Sequence, residues 1–574
     1  MAIPTVDLGY EIHTAATGVS DGLYIFSNIP YADQPVGALR FSAPVLPTGK
    51  SSHTNNGSTN VICMQAASKQ LLEQKAALYG ISLEEITALL YGAAAQTEAC
   101  LALDVYVPES VFNNRSISKV PVLVWIHGGG FTSGSKSASS NPVGLISRSI
   151  LNGEPGLVYV TINYRLGLFG WLGGRSDIIP NLGLYDQAIA LQWVQKYISL
   201  FGGDKNQVTV MGESAGASSI LHHVTAYGGT PQPSFARAVM QSPSFQFSLN
   251  ATANYNLVMT KATNMTGSAI FDVTELARLD SVTLKAINEA IVYDESPLAA
   301  TFGPIPDGSY VPAIPQVLLA QGRFSKDIEI MTGHNSAEAV PFMPANFSTT
   351  GDAVALLEPL IPTASNATLE YIVRVLYPSE DYSSELLRGA QIATDSSFSC
   401  STRYLGLAFK NASYNYLFAI PPGYHAEDLP YTFFNGSTST VNGSVAIDAN
   451  TAHALQDYLV GFALSADPNK SPAGASETFQ RYGSTAQVMA FTTTGLVMTA
   501  DDMDNVRCTW WQKAFVEGLV TMPLPNINTS TTRRNSTPSG VSSSLGSRGS
   551  PEVSQRTIFF LAILLWPLVV FVIA

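Results

Sequence analysis

The pentapeptide Gly212-Glu213-Ser214-Ala215-Gly216 constrains this chain more than any other feature. It follows the apolar run Gln207 to Met211 and precedes the helix-compatible stretch Ala217 to Ala226, which predicts strand, sharp turn and helix in immediate succession. Glycines on either side of the serine let the backbone pass close to neighbouring elements while the serine takes a strained conformation with its hydroxyl clear of the chain. With 45 glycines in 574 residues a bare match is cheap, so the context has to carry the reading. Upstream, Val120 to Ile126 reads as a buried strand and stops at His127-Gly128-Gly129-Gly130-Phe131, where backbone N–H groups can approach an oxyanion closely. The two motifs together predict a serine nucleophile at position 214 with backbone donors at Gly129, Gly130 and Ala215.

A base and an acid should lie downstream of the serine. His222 and His223 belong to the helix that follows the serine, and His453 falls in a helical pattern from 451 to 460 that gives it a structural role. His334 lies at the strand end just ahead of the loop that carries the acid candidate. His425 differs from these, since it lies in the polar loop Gly423 to Pro430 after the strand-like run Tyr414 to Ile420, and loops at strand ends collect catalytic groups. Glu338 likewise follows a strand-like run, Asp327 to Thr332, and would orient the histidine and stabilise its imidazolium. Its rival, Asp307, sits in Pro306-Asp307-Gly308, which is turn chemistry.

From about Thr5 to about Gln512 the chain resembles the type-B carboxylesterase/lipase family, which includes fungal lipases, carboxylesterases, cholinesterases and the non-enzymatic neuroligins. The resemblance is carried by Asn28-Ile29-Pro30-Tyr31-Ala32, by Pro35 to Phe41, by Asn181 to Met211 and by the serine pentapeptide. It implies Ser214 as nucleophile, Glu338 as acid, His425 as base and Gly129, Gly130 and Ala215 as oxyanion donors. It further implies disulfides Cys63–Cys100 and Cys400–Cys508, and a buried ion pair between Arg40 and Glu98. Two departures stand out: Glu98-Ala99-Cys100-Leu101 where the family writes Glu-Asp-Cys-Leu, and Ala339 where a glycine normally follows the acid.

The implied activity is carboxylic ester hydrolysis through an acyl-enzyme, on small or lipid esters, with no cofactor and no metal. The alternative is a catalytically silent recognition protein of neuroligin type on the same fold. The implied fold is that of an α/β-hydrolase: a mostly parallel central sheet with helices on both faces and helical cap insertions at 250–300 and 351–395. Strand-like runs at 120–126, 157–162, 207–211, 237–241, 327–332 and 414–420 alternate with helical stretches as such a sheet requires. Between Cys63 and Cys100, Leu71 to Leu78 and Leu83 to Leu90 are amphipathic at helical spacing, which suits either a lid or a packed surface helix. A net charge of −13 disfavours nucleic acids and anionic membrane surfaces as partners, and the sequence sets no oligomeric state.

Cysteine pairing and recurrent Asn-x-Ser/Thr acceptors, among them Asn56, Asn114, Asn250, Asn346 and Asn411, point to the secretory route. The opening Met1 to Asp7 has neither a basic nor an apolar leader region, so a signal peptide is expected upstream of the chain as given. Three regions are expected: a catalytic domain over 1–525, a Ser/Thr-rich stalk over 526–556 and an apolar tail over 557–574. Ile558 to Ala574 carries no charge and as a helix would reach about 25 Å, short of a hydrocarbon core of about 30 Å. Spacer and tail together have the layout of a GPI-attachment signal, a lipid-borne membrane link at the cell surface, with a retained transmembrane anchor as the alternative.

Overall fold

Runs of Val, Ile and Leu become strands buried on both faces, as a parallel sheet covered by helices demands. The computed structural model describes residues 3–518 apart from 17–21, 52, 93–94, 139–140, 246–247, 249, 296–297, 299–300, 411 and 438–445. The expected stalk and tail lie outside the described residues.

Ten strands form the central sheet: β1 (Leu23–Pro30), β2 (Ala102–Pro108), β3 (Val120–Ile126), β4 (Val158–Ile162), β5 (Gly203–Glu213), β6 (Arg237–Gln241), β7 (Glu329–Asn335), β8 (Tyr414–Phe418), β9 (Gln487–Thr492) and β10 (Gly495–Ala500). Their spatial order is β1-β2-β4-β3-β5-β6-β7-β8-β9-β10. From β4 across to β9 every neighbouring pair is parallel. The β1–β2, β2–β4 and β9–β10 pairs are antiparallel. The six strand-like runs of the sequence all lie in the parallel part. The strands that pattern reading did not supply are those of the antiparallel margins.

Core side chains of β3, such as Val122, Val124 and Ile126, are wholly buried, and the helices Leu182–Tyr197 and Ala215–Thr225 pack against the sheet. The region 250–300 forms the helices Ala251–Thr266, Val273–Leu276 and Ser281–Tyr293. The second helical region contains Thr350–Leu360, Asn366–Tyr371 and Glu385–Thr394. Disulfides join Cys63 to Cys100 and Cys400 to Cys508. The first encloses the helices Lys69–Tyr79 and Leu83–Gly92, whose contact is a small core of Leu72, Ala76 and Ile86. Arg40 grips both carboxylate oxygens of Glu98 at 2.5 and 2.6 Å and also donates to the carbonyls of Ala277 and Leu279, tying the base of that loop to the first cap region.

Candidate active site

The site is assembled at the carboxyl ends of the parallel strands, where an open α/β sheet exposes its loops. At the end of β5 the chain turns so sharply that Ser214 takes φ 54° and ψ −123°, and the helix Ala215–Thr225 starts at the next residue. This is a strained conformation for a residue with a Cβ. Close approach explains the flanking glycines. A Cβ on Gly216 would stand 2.0 Å from the Ile126 carbonyl oxygen, and one on Gly212 would stand 2.7 Å from the Gly216 backbone.

The glycine run after β3 lies directly against this turn. A Cβ on Gly128 would come within 2.7 Å of the Glu213 carboxylate and 3.1 Å of the Ser214 Cβ. Gly129 and Gly130 follow with φ of 105° and 61°, and the chain folds back so tightly that a Cβ on Gly129 would stand 2.2 Å from the Ser133 carbonyl oxygen. Ala215 opens the helix, so its N–H belongs to the first turn, where donors have no intrahelical acceptor. His127 braces the loop from behind. Its ring stacks on Tyr164 at 4.4 Å and its Nδ1 lies 2.8 Å from the Gly128 carbonyl oxygen. Burial holds this imidazole down at about 4 against that hydrogen bond, so it is neutral at physiological pH.

His425 and Glu338 meet across the ends of β7 and β8. His425 Nδ1 lies 2.6 Å from Glu338 Oε2, while the other oxygen, Oε1, accepts from Ser242 Oγ at 2.7 Å and from the Asn335 N–H at 2.6 Å. Glu338 is fully buried with both oxygens engaged, so its orientation is fixed from two sides. No glycine is needed after it. Ala339 has φ −91°, which suits any L-residue, and its N–H donates to Thr394 Oγ1 on the cap helix Glu385–Thr394. Two aromatic rings enclose the imidazole, Phe398 at 4.6 Å and Phe342 at 5.4 Å, and the two rings stack on each other.

The structure adds groups that the sequence reading passed over. Glu213, inside the serine pentapeptide, is buried with Oε1 3.1 Å from His425 Nε2. Burial lifts its carboxyl to about 8, against the attraction of His425. Burial opposes the charged form of His425 too, but Glu213 and Glu338 outweigh it and raise the imidazole to about 9. The two groups therefore titrate as a coupled pair rather than independently. Ser242 was equally unmarked, since a serine after a strand carries no signal without the fold. Asp428, three residues beyond His425, accepts from Tyr416 Oη at 2.6 Å and Gln241 Nε2 at 3.0 Å.

The remaining sequence candidates lie elsewhere. Asp307 organises a turn, accepting from the Ser309 and Val311 N–H groups and from Asn181 Nδ2. His223 is held between Tyr310 Oη and Gln187 Oε1 in the core, His222 is buried beside it, and His453 lies on the helix Ala449–Ser465. His334 ends up buried near the finish of β7, one residue before the Asn335 amide that supports Glu338.

The comparisons agree with this architecture. Carboxylesterase patB of Aspergillus clavatus is 34% identical over 545 residues, covering 89% of this chain and 96% of that protein. Lipase 1 of Geotrichum candidum is 30% identical over 502 residues, 79% of this chain and 86% of the lipase. Among solved structures, Aspergillus niger EstA superposes with a TM-score of 0.76 at 26% identity, covering 91% of this chain and 99% of EstA. With the model of the carboxylesterase family matching residues 9–511, the chain belongs to that family and is a carboxylic ester hydrolase.

Proposed function

We propose that Ser214 is the nucleophile of this hydrolase, with His425 as its base, Glu338 as the acid behind the base, and the N–H groups of Gly129, Gly130 and Ala215 as the oxyanion hole. The observation that carries the reading is the 2.6 Å contact of Glu338 with His425 Nδ1, which turns Nε2 toward the Glu213-Ser214 turn. In the first step His425 Nε2 takes the hydroxyl proton as Ser214 Oγ attacks the ester carbonyl. Glu338 stabilises the imidazolium that results, and the three backbone N–H groups stabilise the oxyanion. The imidazolium then returns its proton to the leaving alcohol, which departs and leaves an acyl-serine. Water, deprotonated by the same imidazole, attacks this ester; the bond from the acyl carbon to Ser214 Oγ breaks, the imidazolium returns its proton to Oγ, and the acid departs.

Labelling with a fluorophosphonate followed by peptide mapping tests the assignment. Modification confined to Ser214 and absent from Ser214→Ala is the expected result, and labelling of another serine would overturn it.

The proposal extends to the compartment. Two disulfides, repeated glycosylation acceptors and similarity to proteins named secreted lipases from Arthroderma benhamiae support an extracellular enzyme. The Ser/Thr-rich composition of 526–556 and the uncharged run Ile558 to Ala574 support attachment to the cell surface through a lipid. Among the described residues no helix is long and apolar enough to cross a membrane.

A further inference from the structure

We propose that His334 is a buried positive charge behind the relay that opposes premature protonation of His425, which makes it a positioning residue for ester hydrolysis. The inference rests on the assignment of Glu338 and His425 to one relay.

Hydrogen bonding fixes the charge. Thr402 Oγ1 lies 2.8 Å from the Ser399 carbonyl oxygen, which can only accept, so the single hydroxyl hydrogen of Thr402 is committed there. Toward His334 Nδ1, at 3.3 Å, the same oxygen is therefore the acceptor, and Nδ1 carries a hydrogen. On the other side of the ring Nε2 lies 3.2 Å from Asp502 Oδ1, and an ionised carboxylate has only lone pairs to offer. Nε2 then carries a hydrogen as well. An imidazole with hydrogens on both nitrogens is the cation.

The surroundings favour that state. His334 is 1% exposed, and burial alone would neutralise it. Against burial stand Asp502 and Asp501, from the loop after β10, and Glu338, which together lift it to about 9. Asp501 accepts from Tyr482 Oη at 2.8 Å and from the Met503 N–H at 3.0 Å, so its carboxylate is oriented by the protein. The helix Cys400–Ala408 contributes the uncharged Thr402 against the ring, and its Arg403 is paired with Asp504. Arg507 is the remaining cation acting on Asp502.

One peptide separates this cation from the acid. His334 is followed by Asn335, whose N–H donates to Glu338 Oε1 at 2.6 Å. A positive charge here disfavours premature protonation of His425. Asp502 is 54% exposed, so a group at the surface sets the charge of a group behind the relay. The donor atoms of His334, Asp501 and Asp502 lie within 4.8 Å of one another, a spacing a metal ion could also use, but a protonated Nε2 has no lone pair for a metal.

The test combines spectroscopy with kinetics. Full-length enzyme carrying ¹⁵N-labelled histidine should show one ring, assigned by its loss in His334→Gln, with both nitrogens protonated at pH 7. His334→Gln should move the acid limb of kcat/KM up by about half a pH unit, because removing a nearby cation makes His425 easier to protonate. Asp502→Asn, at the surface, should move the limb in the same direction by less.

A neutral ring at pH 7, loss of the Nε2 hydrogen on adding Zn²⁺, or an unmoved acid limb in both folded variants would overturn the proposal. If instead Glu338→Gln retains full turnover, the relay assignment fails, while the charge of His334 is still read from the nitrogen spectrum.

Discussion

Glu213 Oε1 stands 3.1 Å from His425 Nε2, on the side of the imidazole opposite Glu338, so the ring is held between two buried carboxyl groups. In the proposed relay such an arrangement favours the imidazolium formed as Ser214 loses its proton. It also makes the proposed base harder to keep neutral at rest.

Glu213→Gln separates those effects. Removing the carboxylate withdraws one of the three charges, Glu213, Glu338 and Asp428, that raise His425, so the imidazole pKa falls and the acid limb of kcat/KM moves to lower pH. Turnover on the plateau should drop about 10- to 100-fold, as an imidazolium-stabilising charge is lost. A pH-rate series on a short-chain ester reads both, and an acid limb displaced upward would contradict the account.

The relay itself is tested by three substitutions. Ser214→Ala should reduce turnover on the order of 10⁴-fold or more. Glu338→Gln should leave a folded protein with strongly reduced turnover. Asp307→Asn should lower the melting temperature more than the rate, because Asp307 holds the 307–311 turn and Asn181. Loss of turnover in a well-folded Asp307→Asn enzyme would reassign the acid.

The helix Lys69–Tyr79 is fastened by polar groups. Gln70 Nε2 donates to the Phe342 carbonyl at 2.8 Å, Gln74 Nε2 reaches the Met343 carbonyl at 3.5 Å, and Lys75 feels the charge of Glu427. These partners lie on the two loops that carry Glu338 and His425. Lifting the helix would therefore strip contacts from the relay loops. We expect ordinary saturation with no step in rate as a triglyceride passes its solubility limit. A sharp rise at that limit would show that the helix opens as an interfacial lid.

Acid should destabilise the fold through histidines that are buried neutral. Burial lowers His127 to about 4 and His222 and His223 to about 3. The sign follows from linkage: below an unfolded-state pKa of about 6.5 the unfolded chain binds protons that the folded one refuses, so stability falls as pH drops from there toward 4. Each such histidine contributes a slope of up to about 1.4 kcal/mol per pH unit. Buried carboxyls such as Glu213 release protons on unfolding near pH 5, so the histidine part is read by difference: calorimetry in buffers of different ionisation enthalpy should show less proton uptake for folded His222→Gln than for the unsubstituted enzyme, and equal uptake would refute the prediction.

Surface attachment has a direct assay. Enzyme made in its own secretory pathway should partition into detergent and be released by phosphatidylinositol-specific phospholipase C. Recovery of a peptide from 558–574 in the membrane-bound enzyme would favour a retained helix instead.

What the sequence made legible follows physical rules of limited range. Val120–Ile126 and Arg237–Gln241 are near-continuous apolar strands, and those runs announce a parallel sheet. The β9–β10 hairpin was not legible, because Gly495–Ala500 is half exposed and weakly patterned. Within the site, Ser214 and the glycine run are local motifs that pattern reading can find. Ser242 and Glu213 matter through partners, 96 residues away for Ser242 and on a different strand's loop for Glu213, and no periodicity encodes such a meeting. Glu213 was nevertheless in view, as the one charged residue of the pentapeptide.

Two adjacent residues at the end of β6 divide the support of the site between them. Gln241 accepts the Ser214 N–H through its carbonyl at 3.0 Å, and Ser242 holds Glu338 through its hydroxyl at 2.7 Å. The proposed nucleophile and the proposed acid are thus referenced to a single peptide of the sheet rather than to each other. The cap helices and the Cys63–Cys100 loop supply neither of these two contacts. A change in those insertions would reach the Glu338 and His425 loops through Gln70, Thr394 and Phe398, while leaving the Ser214 and Glu338 contacts to this peptide in place.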